Sequence, residues 1–103
     1  MYVAPATDTE IALAQIWADL LKIDRKAISA TADLFELGGH SILVVQLVTR
    51  IRAKFRVDLS IREVMEHPHL NVLAERISEE VFKSALSLAA MYEIRADEME
   101  ITI

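Results

Sequence analysis

The chain has 103 residues, room for one domain with a core and too few for a second of ordinary size. Hydrophobic residues make up 53% and charged residues 26%, which excludes a disordered chain, while two Gly and two Pro are too few for an all-β fold of many tight turns. The net charge of −5 offers no field for gripping nucleic acid, and the lack of cysteine excludes disulfides, thiolate zinc sites and a Cys nucleophile.

The first element is a helix of about residues 8–22. Thr7-Asp8-Thr9-Glu10 reads as a capping box, and Ile11, Leu13, Ala14, Ile16, Trp17, Leu20 and Leu21 recur behind it at helical spacing. Residues 23–40 show no sustained period and form a long loop, with one short turn near residues 33–36; a loop of that length in a small domain is usually functional. From Ser41 the stripe Val44, Leu47, Val48, Ile51 and Phe55 predicts a second, core-facing helix. A short third helix is expected over residues 60–66, capped by Ser60 and Glu63 and stopped by Pro68. The last helix starts near Leu70 or Asn71 with the stripe Leu70, Leu73, Ala74, Ile77 and Val81, and Ala85 and Leu88 carry it towards Met91. The expected fold is an all-α four-helix bundle with a long first loop and a short third helix.

Neither longer apolar run, residues 42–45 ended by Gln46 or residues 85–92 broken by Ser87, can span a bilayer. The start Met1-Tyr2-Val3-Ala4-Pro5 lacks the basic and long apolar parts of a signal peptide, so the expectation is a cytoplasmic protein without a membrane partner.

The stretch that carries chemistry is Asp33-Leu34-Phe35-Glu36-Leu37-Gly38-Gly39-His40-Ser41-Ile42. Gly38 and Gly39 remove side chains from the approach to Ser41, and a serine at a helix start lies where unpaired amides and the macrodipole favour an anion. Its oxygen is therefore suited to carry a phosphodiester. A plain N-cap serine is the competing explanation. A hydrolase elbow is not, because Leu43 stands where G-x-S-x-G needs its second glycine, and adjacent His40 lacks the geometry of a general base. His67 and His69 flank Pro68 without an acidic partner at metal-ligand spacing, so no metal site is expected. Nothing here makes an enzyme; Ser41 reads as a passive acceptor.

This ten-residue segment resembles the core motif of peptidyl carrier proteins, the thiolation domains of nonribosomal peptide synthetases within the phosphopantetheine-binding acyl-carrier-like family. The first helix with Ala14-Gln15-Ile16-Trp17, and His67-Pro68 through the last helix, resemble the same family. Tyr2-Val3-Ala4-Pro5 is similar to the linker leaving an adenylation domain. The resemblance implies that Ser41 receives 4′-phosphopantetheine from coenzyme A through a separate Mg²⁺-dependent phosphopantetheinyl transferase, and that the thiol then carries an aminoacyl or peptidyl thioester. Gly38, Gly39 and His40 match the residues before that serine. His40 matches carriers that face a condensation domain, whereas Asp is usual where an epimerisation domain follows. Implied partners are the transferase and adenylation and condensation (or thioesterase) domains, with no nucleic acid; the isolated domain is expected to be a monomer. An acyl carrier of a polyketide or fatty-acid system is the runner-up, and its usual Asp before the serine is absent. A helical DNA-binding module is the third reading; it needs a basic recognition helix, whereas the helix after Ser41 offers Ile42 and Val45 outward, and Arg50, Arg52 and Arg56 read as a solvated face given the acidic total.

Helical steps from the inward stripe put Ile42 opposite the core and Val45 at its flank, a docking spot beside Ser41. Glu98-Met99-Glu100-Ile101-Thr102-Ile103 alternates polar with apolar, which puts Met99, Ile101 and Ile103 on one side of an extended segment. Residues 92–103, alone as an added strand or together with the extended helix before them, are accordingly expected to dock to a downstream synthetase subunit, or else to be a disordered or linking tail. The expected organisation is a linker at 1–6, a carrier domain at 7–84 and an extension at 85–103.

Overall fold

The computed structural model describes the backbone of residues 1–101 and the side chains of residues 1–91. Helix α1 spans Asp8–Leu21, α2 Ser41–Phe55, α3 Ile61–Glu66 and α4 Leu70–Ile101, with a 3₁₀ turn at Arg25–Ala27. The four-helix all-α bundle expected from the sequence is the one observed, and the described residues form no strand, only an isolated bridge between Asp33 and His69.

Both predicted capping boxes are formed. The Thr7 hydroxyl accepts from the Glu10 amide at 3.0 Å, while the Glu10 carboxylate accepts from the Thr7 and Ala6 amides, each at 3.0 Å. Donation from the Thr7 amide, then from Ala6, holds the Glu10 carboxyl below its ordinary pKa by favouring the charged form. Ser60 and Glu63 repeat the arrangement at the start of α3. The two long helices before α4 end on left-handed residues, Lys22 at φ 57° and Arg56 at φ 60°, which turn the chain out of the helical path.

Helix α1 packs against α2 and α4, and α3 packs against α2. Trp17 and Leu13 of α1, Val44, Leu47 and Ile51 of α2, Val64 of α3, and Leu70, Leu73 and Ile77 of α4 are fully or almost fully enclosed. The periodic stripes therefore hold as far as Ile77. Val81, Ala85 and Leu88 of the α4 stripe beyond that point are exposed, with no other element packed over them among the described residues.

Two features of the long loop lie outside what periodicity reports. Ile28 and Leu34 are fully buried in the core, and the loop backbone is tied to the start of α4: the Asn71 amide donates to the Ala30 carbonyl at 2.8 Å, Leu70 to Ala32 at 3.0 Å, and Leu34 to Pro68 at 2.9 Å. The N-terminal segment is tied to the same loop. The Ala30 amide donates to the Val3 carbonyl at 2.6 Å, and the Val3 amide donates to the Ser29 hydroxyl at 3.0 Å.

The expectation of an extended segment at residues 98–103 is corrected by α4, which continues as helix through Ile101. No Gly or Pro occurs between Leu70 and Ile101, and the Ala, Leu, Met and Glu that fill its second half are strong helix formers. Positions 99 and 101 then lie about 200° apart around a helix axis and no longer alternate along an extended segment. Ile103 lies outside the described residues.

Candidate functional site

The approach to α2 is built by a turn that Asp33 nucleates. Its carboxylate accepts from the Phe35 amide at 2.8 Å and from Glu36 at 3.4 Å, and its carbonyl accepts from Leu37 at 3.2 Å. Gly38 follows at φ +103°, a conformation strained for any L side chain. Gly39 then lies directly on Leu34: its amide donates to the Leu34 carbonyl at 2.9 Å, and a Cβ built on it would stand 2.7 Å from that oxygen and 2.8 Å from Leu34 Cγ. The glycines thus have a structural reason besides the one expected: they permit the turn and its close packing on a fully buried leucine.

His40 is the N-cap of α2. It is extended (φ −141°, ψ 175°), its Nδ1 accepts from the Leu43 amide at 3.4 Å, and its carbonyl accepts from Val44 at 3.0 Å. Ser41 is consequently the first helical residue and not the cap, which answers the competing explanation raised by the sequence. It is exposed, and among the described residues no hydrogen bond engages its hydroxyl. The amides of the first two helical residues have no intrahelical acceptor, so an anion held on the Ser41 oxygen would meet a favourable field. The arrangement fits a covalently attached phosphodiester.

The helix places Leu43 and Val44 inward and leaves Ile42 69% and Val45 48% exposed, as the stripe predicted. Gly38, Gly39, His40, Ser41, Ile42 and Val45 are therefore gathered at one end of α2. Positions 99 and 101 are not part of that group, being near the far end of α4. Sequence reasoning missed two exposed hydrophobics on α3, Ile61 and Met65, which flank the buried Val64. Their i, i+4 spacing on a six-residue capped helix was the available signal. It also missed that His69 Nε2 lies 3.9 Å from Asp33 Oδ2, beside the turn that leads to Ser41. Among the described residues no group of three or more His, Asp or Glu could hold a metal ion, and no helix is long and apolar enough to cross a membrane.

Comparison with known proteins agrees with this geometry. The family described as phosphopantetheine attachment site matches residues 12–77, more than half of the chain. One of the linear gramicidin synthase proteins of Brevibacillus parabrevis is 44% identical over 77 residues, 75% of this chain and 2% of the synthase protein. Malpibaldin synthetase of Mortierella alpina is 43% identical over 77 residues, 75% of this chain and 1% of its own length. The chain thus spans only one or two hundredths of these curated relatives. Among solved structures, a non-covalent extended docking domain complex of the Pax nonribosomal peptide synthetase matches at 43% identity and a TM-score of 0.74, over 90% of this chain and 89% of that one. A peptidyl carrier protein solved with the phosphopantetheine transferase Sfp and coenzyme A matches at 26% identity and a TM-score of 0.72, over 76% of this chain and 99% of that one. The cofactor is accordingly 4′-phosphopantetheine, covalent and derived from coenzyme A. The helical bundle, the exposed serine at the head of α2 and these likenesses converge: the chain belongs to the phosphopantetheine attachment site family and is a peptidyl carrier domain of the nonribosomal peptide synthetase type.

Proposed function

We propose that Ser41 is the residue on which this domain carries its arm, and that the domain is a non-catalytic module within a cytoplasmic synthetase. The observation that carries the reading is the exposed Ser41 hydroxyl, unbonded among the described residues, at the first position of α2 beside unpaired amides. In the loading step the Ser41 oxygen gives up its proton to the transferase and forms a bond to phosphorus, as the pyrophosphate bond of coenzyme A breaks and adenosine 3′,5′-bisphosphate leaves. The arm supplies a thiol for thioester chemistry, which suits a chain without cysteine. The protein itself presents the hydroxyl, stiffens the loop before it and offers a surface to the enzymes that act on it. Incubation with coenzyme A, Mg²⁺ and a phosphopantetheinyl transferase, followed by peptide mass spectrometry, tests the reading; modification at any other residue overturns it.

The partner surface is read from exposure. Ile42 and Val45 beside Ser41 are the expected contacts of transferase, adenylation and condensation (or thioesterase) domains, with Gly38, Gly39 and His40 shaping the approach. Charged substitution at both positions, Ile42→Asp with Val45→Asp, is expected to weaken partner binding at least tenfold while shifting the melting temperature little, since neither side chain belongs to the core. A titration against a condensation domain that shows unchanged affinity removes the surface from consideration.

The C-terminal extension is proposed as a docking element for the next synthetase protein, resting now on helix and not on an added strand. Beyond Ile77, helix α4 exposes Val81, Phe82, Leu86, Leu88 and Met91. A run of large exposed apolar side chains on one helix offers a surface that a partner can cover. The likeness to a structure containing a docking domain complex extends over 90% of this chain and supports the same reading. Removing residues 85–103 is expected to abolish binding of the downstream protein while leaving the loading rate of Ser41 unchanged, because no core residue lies beyond Ile77 among the described residues. Retained affinity in the truncated chain would rule the element out. Residues 1–6 fit a linker from an upstream domain, although the bonds from Val3 to Ser29 and Ala30 lay that linker on the bundle.

A further inference from the structure

Two adjacent residues compete to start α2. Serine is among the preferred helix caps, and His is not. If Ser41 served as the cap, its hydroxyl would accept from the amide three residues on, that of Val44, and would be turned back onto the helix. In the structure the Val44 amide instead donates to the His40 carbonyl at 3.0 Å, and His40 Nδ1 takes the Leu43 amide. The helix begins one residue earlier than the side-chain preferences alone would dictate.

The contrast with the other capped helices is informative. Helices α1 and α3 each start with a reciprocal capping box, in which the third helical residue returns a bond to the cap. At the corresponding position α2 has Leu43, whose buried side chain cannot return one. Upstream, Gly38 at φ +103° and Gly39 pressed on Leu34 lead the chain to position 40, which is extended, and position 41 is already helical. His40 then supplies the acceptor that this register requires.

We propose that His40 is a positioning residue: by capping α2 it keeps Ser41 in the first helical turn with its hydroxyl outside the cap. The inference rests on the reading of Ser41 as the loaded residue, and it assigns to the imidazole a task within this chain, distinct from contact with a partner. It predicts that any short side chain able to accept from the Leu43 amide can replace His40.

The test compares His40→Ala and His40→Asn with the wild-type chain. In the alanine variant the Leu43 amide is expected to exchange faster and the loading rate to fall, each by about twofold, the factor set by a cap at the weak end of the range. The Ser41 carbon chemical shifts should also leave the helical range as the hydroxyl takes over the cap. Asparagine, a strong cap without an imidazole, should restore all three readouts. The proposal is overturned if the alanine variant loads at the wild-type rate, if its Ser41 shifts stay helical, or if asparagine protects the Leu43 amide yet loads as slowly as alanine. The last result would mean that the transferase reads the imidazole itself. A wild-type chain that accepts no arm overturns the carrier reading and this inference with it, while the Leu43 exchange rates still report whether His40 is the cap.

Discussion

Ser41→Ala leaves a folded domain that takes up no phosphopantetheine. The side chain is exposed, lies in no core contact and engages in no hydrogen bond among the described residues, so its loss should change stability by less than about 0.5 kcal/mol. Alanine is also a good helix former, and the cap at His40 is untouched. Loading, by contrast, needs an oxygen nucleophile at that point, and alanine supplies none. Intact mass after incubation with coenzyme A, Mg²⁺ and transferase should remain that of the unmodified chain, while thermal melting coincides with wild type. Because melting and loading are read on the same sample, a misfolded variant cannot imitate the result. Modification of the alanine variant, at Ser29 or Thr31 in the loop for example, would transfer the role to another hydroxyl.

Disturbing the contact between Leu34 and Gly39 should have the largest effect on stability of any change near the site. Leu34 is fully buried although it belongs to a loop, and Leu34→Ala removes most of a core side chain at a cost of about 2–5 kcal/mol. Gly39→Ala drives a methyl group into the same place from the other side, within 2.8 Å of Leu34 Cγ and 2.7 Å of its carbonyl oxygen, at a cost of about 1–3 kcal/mol. The double variant should be less destabilised than the sum of the two, since the shortened residue 34 no longer opposes the methyl. Relief should be partial, because the carbonyl stays where it is. Urea unfolding of the four chains measures this directly; strictly additive losses would mean that the contact is not what makes glycine necessary. Loading should fall in step, as the Leu34–Gly39 contact supports the turn that leads into α2.

These effects meet in a short span of chain. Asp33 closes the turn, Leu34 anchors it in the core, Gly38 and Gly39 bend it over that anchor, and His40 caps the helix that presents Ser41. The Asp33 bridge to His69 and the bond from Leu34 to Pro68 fasten the same turn to the start of α4. In the proposed role of Ser41, a firm base under the serine lets each enzyme that acts on it meet the same geometry.

The helices, their order and their inward faces were legible in the amino-acid order, because capping boxes and apolar spacing are local signals and the core stripes agree with them. Thr7 with Glu10, Ser60 with Glu63, and Val44, Leu47 and Ile51 required no knowledge of the fold. The motif around Ser41 was equally plain, and with it the outward placement of Ile42 and Val45. Tertiary structure alone decided what lies between residues far apart in the chain. It buried Ile28 and Leu34 from an aperiodic loop, pressed Gly39 onto Leu34, and tied Val3 to Ser29 and Ala30. Among the described residues it also ended the core at Ile77 and left the α4 stripe beyond it exposed, since a stripe says which way a side chain points and not whether anything stands opposite. At the C-terminus the alternation of Glu98, Met99, Glu100 and Ile101 suggested a strand, and helix prevailed through Ile101 because an unbroken run of strong helix formers carries the preceding turns onward, one bond per added residue.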